Sequence, residues 1–216
     1  MKEQLRRVFN GPFGVHWALL SRFYTGRTFW ERSKQRLWPQ ARETVLEVAC
    51  GAGNVLIPLA QEAPGARLIG VDIAEQMVRL GQQRAQRLGL SNVRFEVGDM
   101  TALQMADASV EKVICSRVLG HYVAMDPVFA ELARVLKPGG AAIIINEVRV
   151  AGLHWLKYRV MAWMGVLINP TRKAFILDYI DKTPTLGALE GCAERAGLRV
   201  VERLWDGHVV CLVCRK

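Results

Sequence analysis

Val45-Leu46-Glu47-Val48-Ala49-Cys50-Gly51-Ala52-Gly53 is a short apolar run that breaks into a glycine turn. Two glycines one residue apart let a backbone bend sharply and approach a ligand closely. Asn54–Gln61 then reads as the start of a helix, and the same strand, turn, helix rhythm repeats outward from this point. Arg67–Val71 is a second strand ending at Asp72, and Ala74–Leu88 is a helix with Met77, Leu80, Ala85 and Leu88 on one face, stopped by Gly89. Val93–Val97, followed by Gly98-Asp99, and Lys112–Ser116 are the third and fourth strands. Pro127–Leu136 is a helix stopped by Lys137-Pro138-Gly139-Gly140, Ala141–Asn146 is a fifth strand, and Pro184–Ala196 is a helix stopped by Gly197. Arg199–Leu204 and His208–Val213 are expected to close the chain as an antiparallel hairpin across Trp205-Asp206-Gly207.

Strands alternating with helices predict an α/β fold, a parallel sheet covered on both faces as a three-layer sandwich. In such a sheet the ligand lies outside the carboxyl ends of the strands, near the point where strand order reverses. Four features fall at such ends: the glycine turn, Asp72, Gly98-Asp99-Met100, and Ser116-Arg117-Val118-Leu119. An acidic side chain at Asp72 can accept both hydroxyls of a ribose. Asp99 can accept from an adenine amino group while Met100 packs on the ring. A nicotinamide dinucleotide site wants a third glycine where this chain has Leu56, and Glu47 would repel its phosphates.

The pattern resembles the class I S-adenosylmethionine-dependent methyltransferases, closely over residues 40–146 and more loosely elsewhere. The resemblance rests on Val45–Gly53, Val71-Asp72-Ile73-Ala74, Gly98-Asp99 and Leu136-Lys137-Pro138-Gly139-Gly140 agreeing in order and spacing. It implies a Rossmann-like, seven-stranded, mostly parallel sheet with a reversed last strand. It implies S-adenosyl-L-methionine as cofactor, with S-adenosyl-L-homocysteine as product. Cofactor contacts are expected at Glu47, Ala49, Cys50, Gly51, Gly53, Asp72, Ile73, Met77, Asp99, Met100 and Ser116, although Cys50 and Met77 also read as ordinary packing residues. Within the family the plan is most similar to the quinone-biosynthesis and phospholipid N-methyltransferase branch (methyltransferase domain type 11 like). The points of likeness are Asn146-Glu147, the Trp155–Ile168 helix and the closing Pro184–Ala196 helix. Where that branch often carries a Tyr-Asp pair, this chain has Phe23-Tyr24-Thr25, so substrate identity is not carried over.

One domain is expected over residues 1–216: a helical cap at 1–44, a cofactor-binding core at 45–146, a substrate-lid insertion at 147–183, and a closing helix and hairpin at 184–216. Methyl transfer by direct displacement needs alignment and exclusion of water, and a base only where the acceptor must lose a proton. His121, Arg117 and Tyr122 are the catalytic candidates; Tyr24, Trp30, Glu147, His154 and Tyr158 are the substrate-lid candidates.

Charge is uneven. Residues 1–44 hold nine Lys and Arg against three Asp and Glu, residues 45–145 nine against ten, and residues 146–216 eleven against seven. Basic flanks suit an anionic surface. In the insertion, Leu153, Leu156, Val160, Trp163, Met164 and Leu167 share a helical face with basic residues beside it, a pattern of helices that lie in a membrane interface. No run of about 18 apolar residues suggests a spanning helix, and nothing near Met1 reads as a secretory signal, so the expected address is the cytoplasm, with peripheral contact at the inner face of a membrane. The expected acceptor is small and lipophilic, quinone-like or phospholipid-like. RNA, protein or a soluble small molecule is the alternative acceptor, and a non-catalytic binding module the reading from another class. A nucleic-acid partner is not expected, because no RNA-binding module is appended and Asn169-Pro170 sits in the insertion. Metal is not expected either: Cys211 and Cys214 are three apart in a strand and point to opposite faces.

Overall fold

The computed structural model describes residues 2–11, 35–36, 38–121, 124–150, 156, 159–160, 163 and 180–216. After a first helix, α1 (Lys2–Phe9), come β1 (Thr44–Val48), α2 (Leu56–Glu62), β2 (Arg67–Asp72), α3 (Glu75–Arg87), β3 (Val93–Val97) and β4 (Val110–Ser116). A 3-10 turn (Leu119–His121), α4 (Asp126–Val135), β5 (Leu136–Glu147), α5 (Leu186–Arg195), β6 (Arg199–Asp206) and β7 (Val209–Arg215) follow.

The seven strands form one sheet in the order β3-β2-β1-β4-β5-β7-β6. β1 pairs parallel with β2 and β4, β2 with β3, and β4 with β5. β7 runs antiparallel to both of its neighbours, so it alone is reversed. The expected topology therefore holds. The chain lays down β1, β2 and β3 outward in one direction, then returns to place β4 on the other side of β1, which puts the switch point between β1 and β4.

Central strands covered on both faces need apolar side chains on both, and β1 is buried at every position. Alternation sends Leu46, Val113 and Ile144 into one core with Phe129 and Leu132 of α4 and Leu189 of α5. Val45, Ile114 and Ile143 enter a second core with Leu56 and Ile57 of α2 and Val78 of α3. Each fully buried Leu, Ile or Phe contributes about 1.5–3 kcal/mol. Cys211 lies in the second core and Cys214 in the first, on opposite faces of β7 as their spacing dictates.

Several boundaries differ from the sequence reading, two of them at turns. Lys137-Pro138-Gly139-Gly140 is not only a turn, because β5 begins at Leu136 and the register against β4 shifts between Val110 and Lys112. The chain end explains it: the Gly139 N–H donates to the Lys216 carbonyl and the Lys216 N–H to the Gly140 carbonyl, each at 3.1 Å. The closing hairpin turns later than expected, at Gly207-His208, so β6 runs on through Trp205 to Asp206. Gly207 takes φ +61°, which a two-residue hairpin turn requires and tryptophan or aspartate would adopt at a cost.

Candidate active site

The carboxyl end of β1 runs into α2 through a turn in which Ala49, Gly51 and Gly53 all take positive φ, at +51°, +53° and +74°. Ala49 carries a Cβ into the left-handed region, which costs about 1–2 kcal/mol and needs support from its surroundings. The support is backbone pairing and one carboxylate. The Cys50 N–H donates to the Val71 carbonyl at 3.1 Å and the Gly53 N–H to the Cys50 carbonyl at 3.0 Å. The Gly51 N–H donates to Asp72 Oδ2 at 2.8 Å, and the Ala74 N–H donates to Asp72 Oδ1 at 2.9 Å. Asp72 thus ties the glycine turn to the start of α3. Each of its oxygens keeps a lone pair. Gly53 is packed as well as bent: a Cβ there would sit 2.5 Å from Phe95 Cζ.

Glu47, next to the end of β1, is only 3% exposed, and its Oε2 has no hydrogen-bond partner among the described residues. Burial, and then the charge of Asp72, hold its pKa well above the usual carboxylate range. Asp72 is also raised, by burial, with its backbone N–H donors pulling the other way. Burial raises Cys50 strongly and pushes Cys115 up to about 12, which disfavours the thiolate at both. Ile73 is half-buried, and Met77 is buried with Ala52 and Ala74 against Phe9 and Leu80.

On the β3 side, Asp99 Oδ1 accepts from the Thr101 N–H and hydroxyl, each at 2.9 Å, while Lys2 Nζ lies 2.6 Å from Oδ2. Burial alone would raise this carboxyl, but Lys2 and Thr101 together hold it below its ordinary value. Met100 beside it is buried in the first core.

A second group of polar side chains lies at the ends of β4 and β5. Ser116 closes β4 and is half-buried. Arg117 takes φ +57°, its N–H donating to the Ile145 carbonyl at 2.7 Å, and its Nη2 pairs with Glu147 Oε1. Glu147, expected in the lid, instead ends β5 and is 2% exposed. Asn146, fully buried, accepts from the Leu119 N–H through Oδ1 at 3.1 Å and donates through Nδ2 to the Glu147 carbonyl at 2.8 Å. That amide locks the β4 turn to β5. His121 closes the 3-10 turn that follows. Tyr24, Trp30, Tyr122, His154 and Tyr158 lie outside the described residues.

The structure therefore gathers Glu47, Ala49, Cys50, Gly51, Gly53, Asp72, Asp99, Ser116, Arg117 and Glu147 at one end of the sheet. Sequence reasoning missed Lys2, Asn10, Thr101 and Arg84, the last of which donates to the Ala52 carbonyl and to Asn54 Oδ1. Their partners lie up to 99 residues away, and no local pattern marks them. No group of three metal-ligating side chains occurs among the described residues.

Comparison with known proteins gives a consistent picture. Residues 39–169 match the family model described as a methyltransferase domain. The chain is 33% identical over 175 residues to the ubiquinone/menaquinone biosynthesis C-methyltransferase UbiE of Dinoroseobacter shibae, covering 77% of this chain and 70% of that one. It is 28% identical to the demethylmenaquinone methyltransferase of Thermus thermophilus, covering 74% of this chain and 76% of that one. In fold it is similar to the crystal structure of a SAM-dependent methyltransferase from Aquifex aeolicus, with a TM-score of 0.64, 19% identity, and coverage of 85% and 88%.

The buried Glu47 makes a pH prediction. The folded state holds this proton to higher pH than the unfolded chain does, so its contribution to stability falls as pH rises through the ordinary carboxylate range toward the raised folded value. Glu47→Gln removes that linkage. Melting curves from about pH 4 to pH 8 are expected to show the variant gaining stability relative to wild type as pH increases. Parallel curves for the two proteins would contradict the assignment.

Proposed function

Since the chain belongs to the methyltransferase family, we propose that it uses S-adenosylmethionine to methylate a small, neutral, lipophilic acceptor of the quinol type. When bound, that cofactor supplies a methyl group already activated by a positive sulfur. The residues fit it. Glu47 and Asp72 are two buried carboxylates, and Glu47 Oε2 is an orphaned acceptor among the described residues. A ligand carrying an ammonium and a sulfonium supplies the positive charge such a pair favours. Gly51 and Gly53 give it close backbone approach, Asp72 has lone pairs for ribose hydroxyls, and Asp99 one for the adenine amino group.

The observation that carries the acceptor class is the Arg117–Glu147 pair. A carboxylate this buried cancels the guanidinium beside it. The acceptor side then offers hydrogen bonding without net charge, flanked by buried Leu119 and Val148, which favours a neutral ring bearing a hydroxyl or carbonyl over a phosphate or carboxylate. The names of the relatives point to the same chemistry. A quinol must lose a proton to become a strong nucleophile, and His121 is the proposed base, with Arg117 holding the acceptor oxygen. The cap at 1–44 and the insertion that follows β5 are proposed to exclude water and shape the acceptor pocket.

Peripheral membrane contact belongs to this reading, because a lipophilic acceptor resides in a bilayer. Leu156, Val160 and Trp163 follow helical spacing and are all exposed, with exposed Arg159 among them. No helix among the described residues is long and apolar enough to cross a membrane.

Three outcomes check this. Offered demethylated quinol in micelles, a soluble catechol, bulk RNA and bulk protein, the enzyme is expected to add one CH₂ by mass to the quinol; transfer only to RNA or protein would contradict the acceptor class. Glu147→Gln is expected to lower kcat/KM for the acceptor roughly ten- to a hundredfold, and His121→Ala to lower turnover, with cofactor affinity nearly kept in both. An unchanged rate removes the residue concerned from the mechanism. In flotation assays the protein is expected to rise with anionic vesicles at low salt, and Trp163→Glu to stay behind; a wild type that stays in the soluble fraction would count against membrane contact.

A further inference from the structure

α1 and the residue after it reach this end of the sheet through four side chains. Lys2 Nζ is 2.6 Å from both Asp99 Oδ2 and Thr101 Oγ1. Leu5 is buried in the same core as Met100 and Leu119, while Phe9 packs against Ala52, Ala74 and Met77. Asn10, the residue after the helix, accepts from the Gln76 N–H through Oδ1 at 2.9 Å. This last contact fills a gap in the local sequence. The N-cap of α3 is Ala74, which has no side-chain oxygen, so an asparagine 66 residues away caps the helix instead. One face of α1 is thereby stitched to the glycine turn, to the start of α3 and to the Asp99 loop, the three segments around the nucleoside end of the cofactor crevice.

We propose that α1 is a clamp over the nucleoside end of the cofactor, and that Lys2 is its positioning residue, holding Asp99 in the orientation from which it accepts the adenine amino group. The inference rests on the cofactor reading above and deepens it. Two roles for Lys2 are conceivable, support or competition, and counting lone pairs decides between them. A carboxylate offers about four acceptor positions. Thr101 fills both on Oδ1 through its N–H and its hydroxyl, and Lys2 fills one on Oδ2. One position on Oδ2 remains, so adenine and Lys2 are accommodated together. Lys2 also locks Thr101, whose hydroxyl accepts from the ammonium while donating to Oδ1. The carboxylate is held at both oxygens before any ligand arrives, which lowers the ordering cost of binding.

The test is calorimetric titration of S-adenosylmethionine and S-adenosylhomocysteine into wild type, Lys2→Met, Lys2→Arg, Asp99→Asn and the Lys2→Met/Asp99→Asn double variant. Lys2→Met is expected to weaken both ligands roughly three- to tenfold, the scale of a partly exposed charge-assisted hydrogen bond. Lys2→Arg is expected to restore most of the loss, and Lys2→Met to add nothing once Asp99 is Asn. KM for the cofactor should follow the dissociation constant, while turnover at saturating cofactor falls by less. Equal or tighter binding by Lys2→Met, or full additivity with Asp99→Asn, overturns the clamp. A wild type that fails to bind either ligand overturns the cofactor reading itself, and the clamp with it.

Discussion

The Asp72 carboxylate, buried between the Gly51 and Ala74 N–H groups, is the constraint on which the site depends. A turn with three left-handed residues in five, one of them alanine, has no reason to persist as an isolated peptide. It persists here because β1 and β2 pair in register through Val48 and Val71, which delivers Asp72 to the turn. Gly70 on β2 allows the approach: a Cβ there would meet Cys50 Sγ and Phe95 Cδ1 at 2.8 Å each. Sheet pairing therefore places the carboxylate, the carboxylate fixes the turn, and the turn shapes the crevice.

Electrostatics divide the crevice into two halves. On the β1–β2 side, two carboxylates are buried, and burial holds both pKa values up. A cationic ligand relieves that, whereas a phosphate would worsen it. On the β4–β5 side, Arg117 and Glu147 neutralise each other, and Asn146 holds the strand ends together. The proposed positive cofactor on one side and the proposed neutral acceptor on the other suit a displacement in which charge leaves the sulfur.

Most of the fold is legible in the sequence because its signals are local. Apolar runs of five, glycines at turns and helices with one apolar face define β1 to β5 and the helices between them. Of the boundaries that move, the one at Lys137–Gly140 depends on a partner far along the chain, Lys216, and the one at Trp205–Gly207 on how far β6 and β7 stay paired before the chain turns. The site divides in the same way. Gly51, Gly53, Asp72 and Asp99 announce themselves by position after a strand. Lys2 and Asn10 do not, since nothing in a basic N-terminal helix says which acidic residue it will meet. Glu147 is readable as chemistry, but its place is set by how far β5 runs, and a strand that continues one residue past Asn146 takes it out of the lid and into the sheet.

The most direct measurement is calorimetric titration of S-adenosylmethionine into the wild type and into Asp72→Asn. An asparagine can accept one of the two backbone N–H groups but must turn its own amide donors toward the other, so the glycine turn loses its anchor. The wild type is expected to bind, and the variant, still folded by circular dichroism, to bind roughly tenfold more weakly or worse. A wild type that does not bind, or an Asp72→Asn variant with full affinity, would contradict the account.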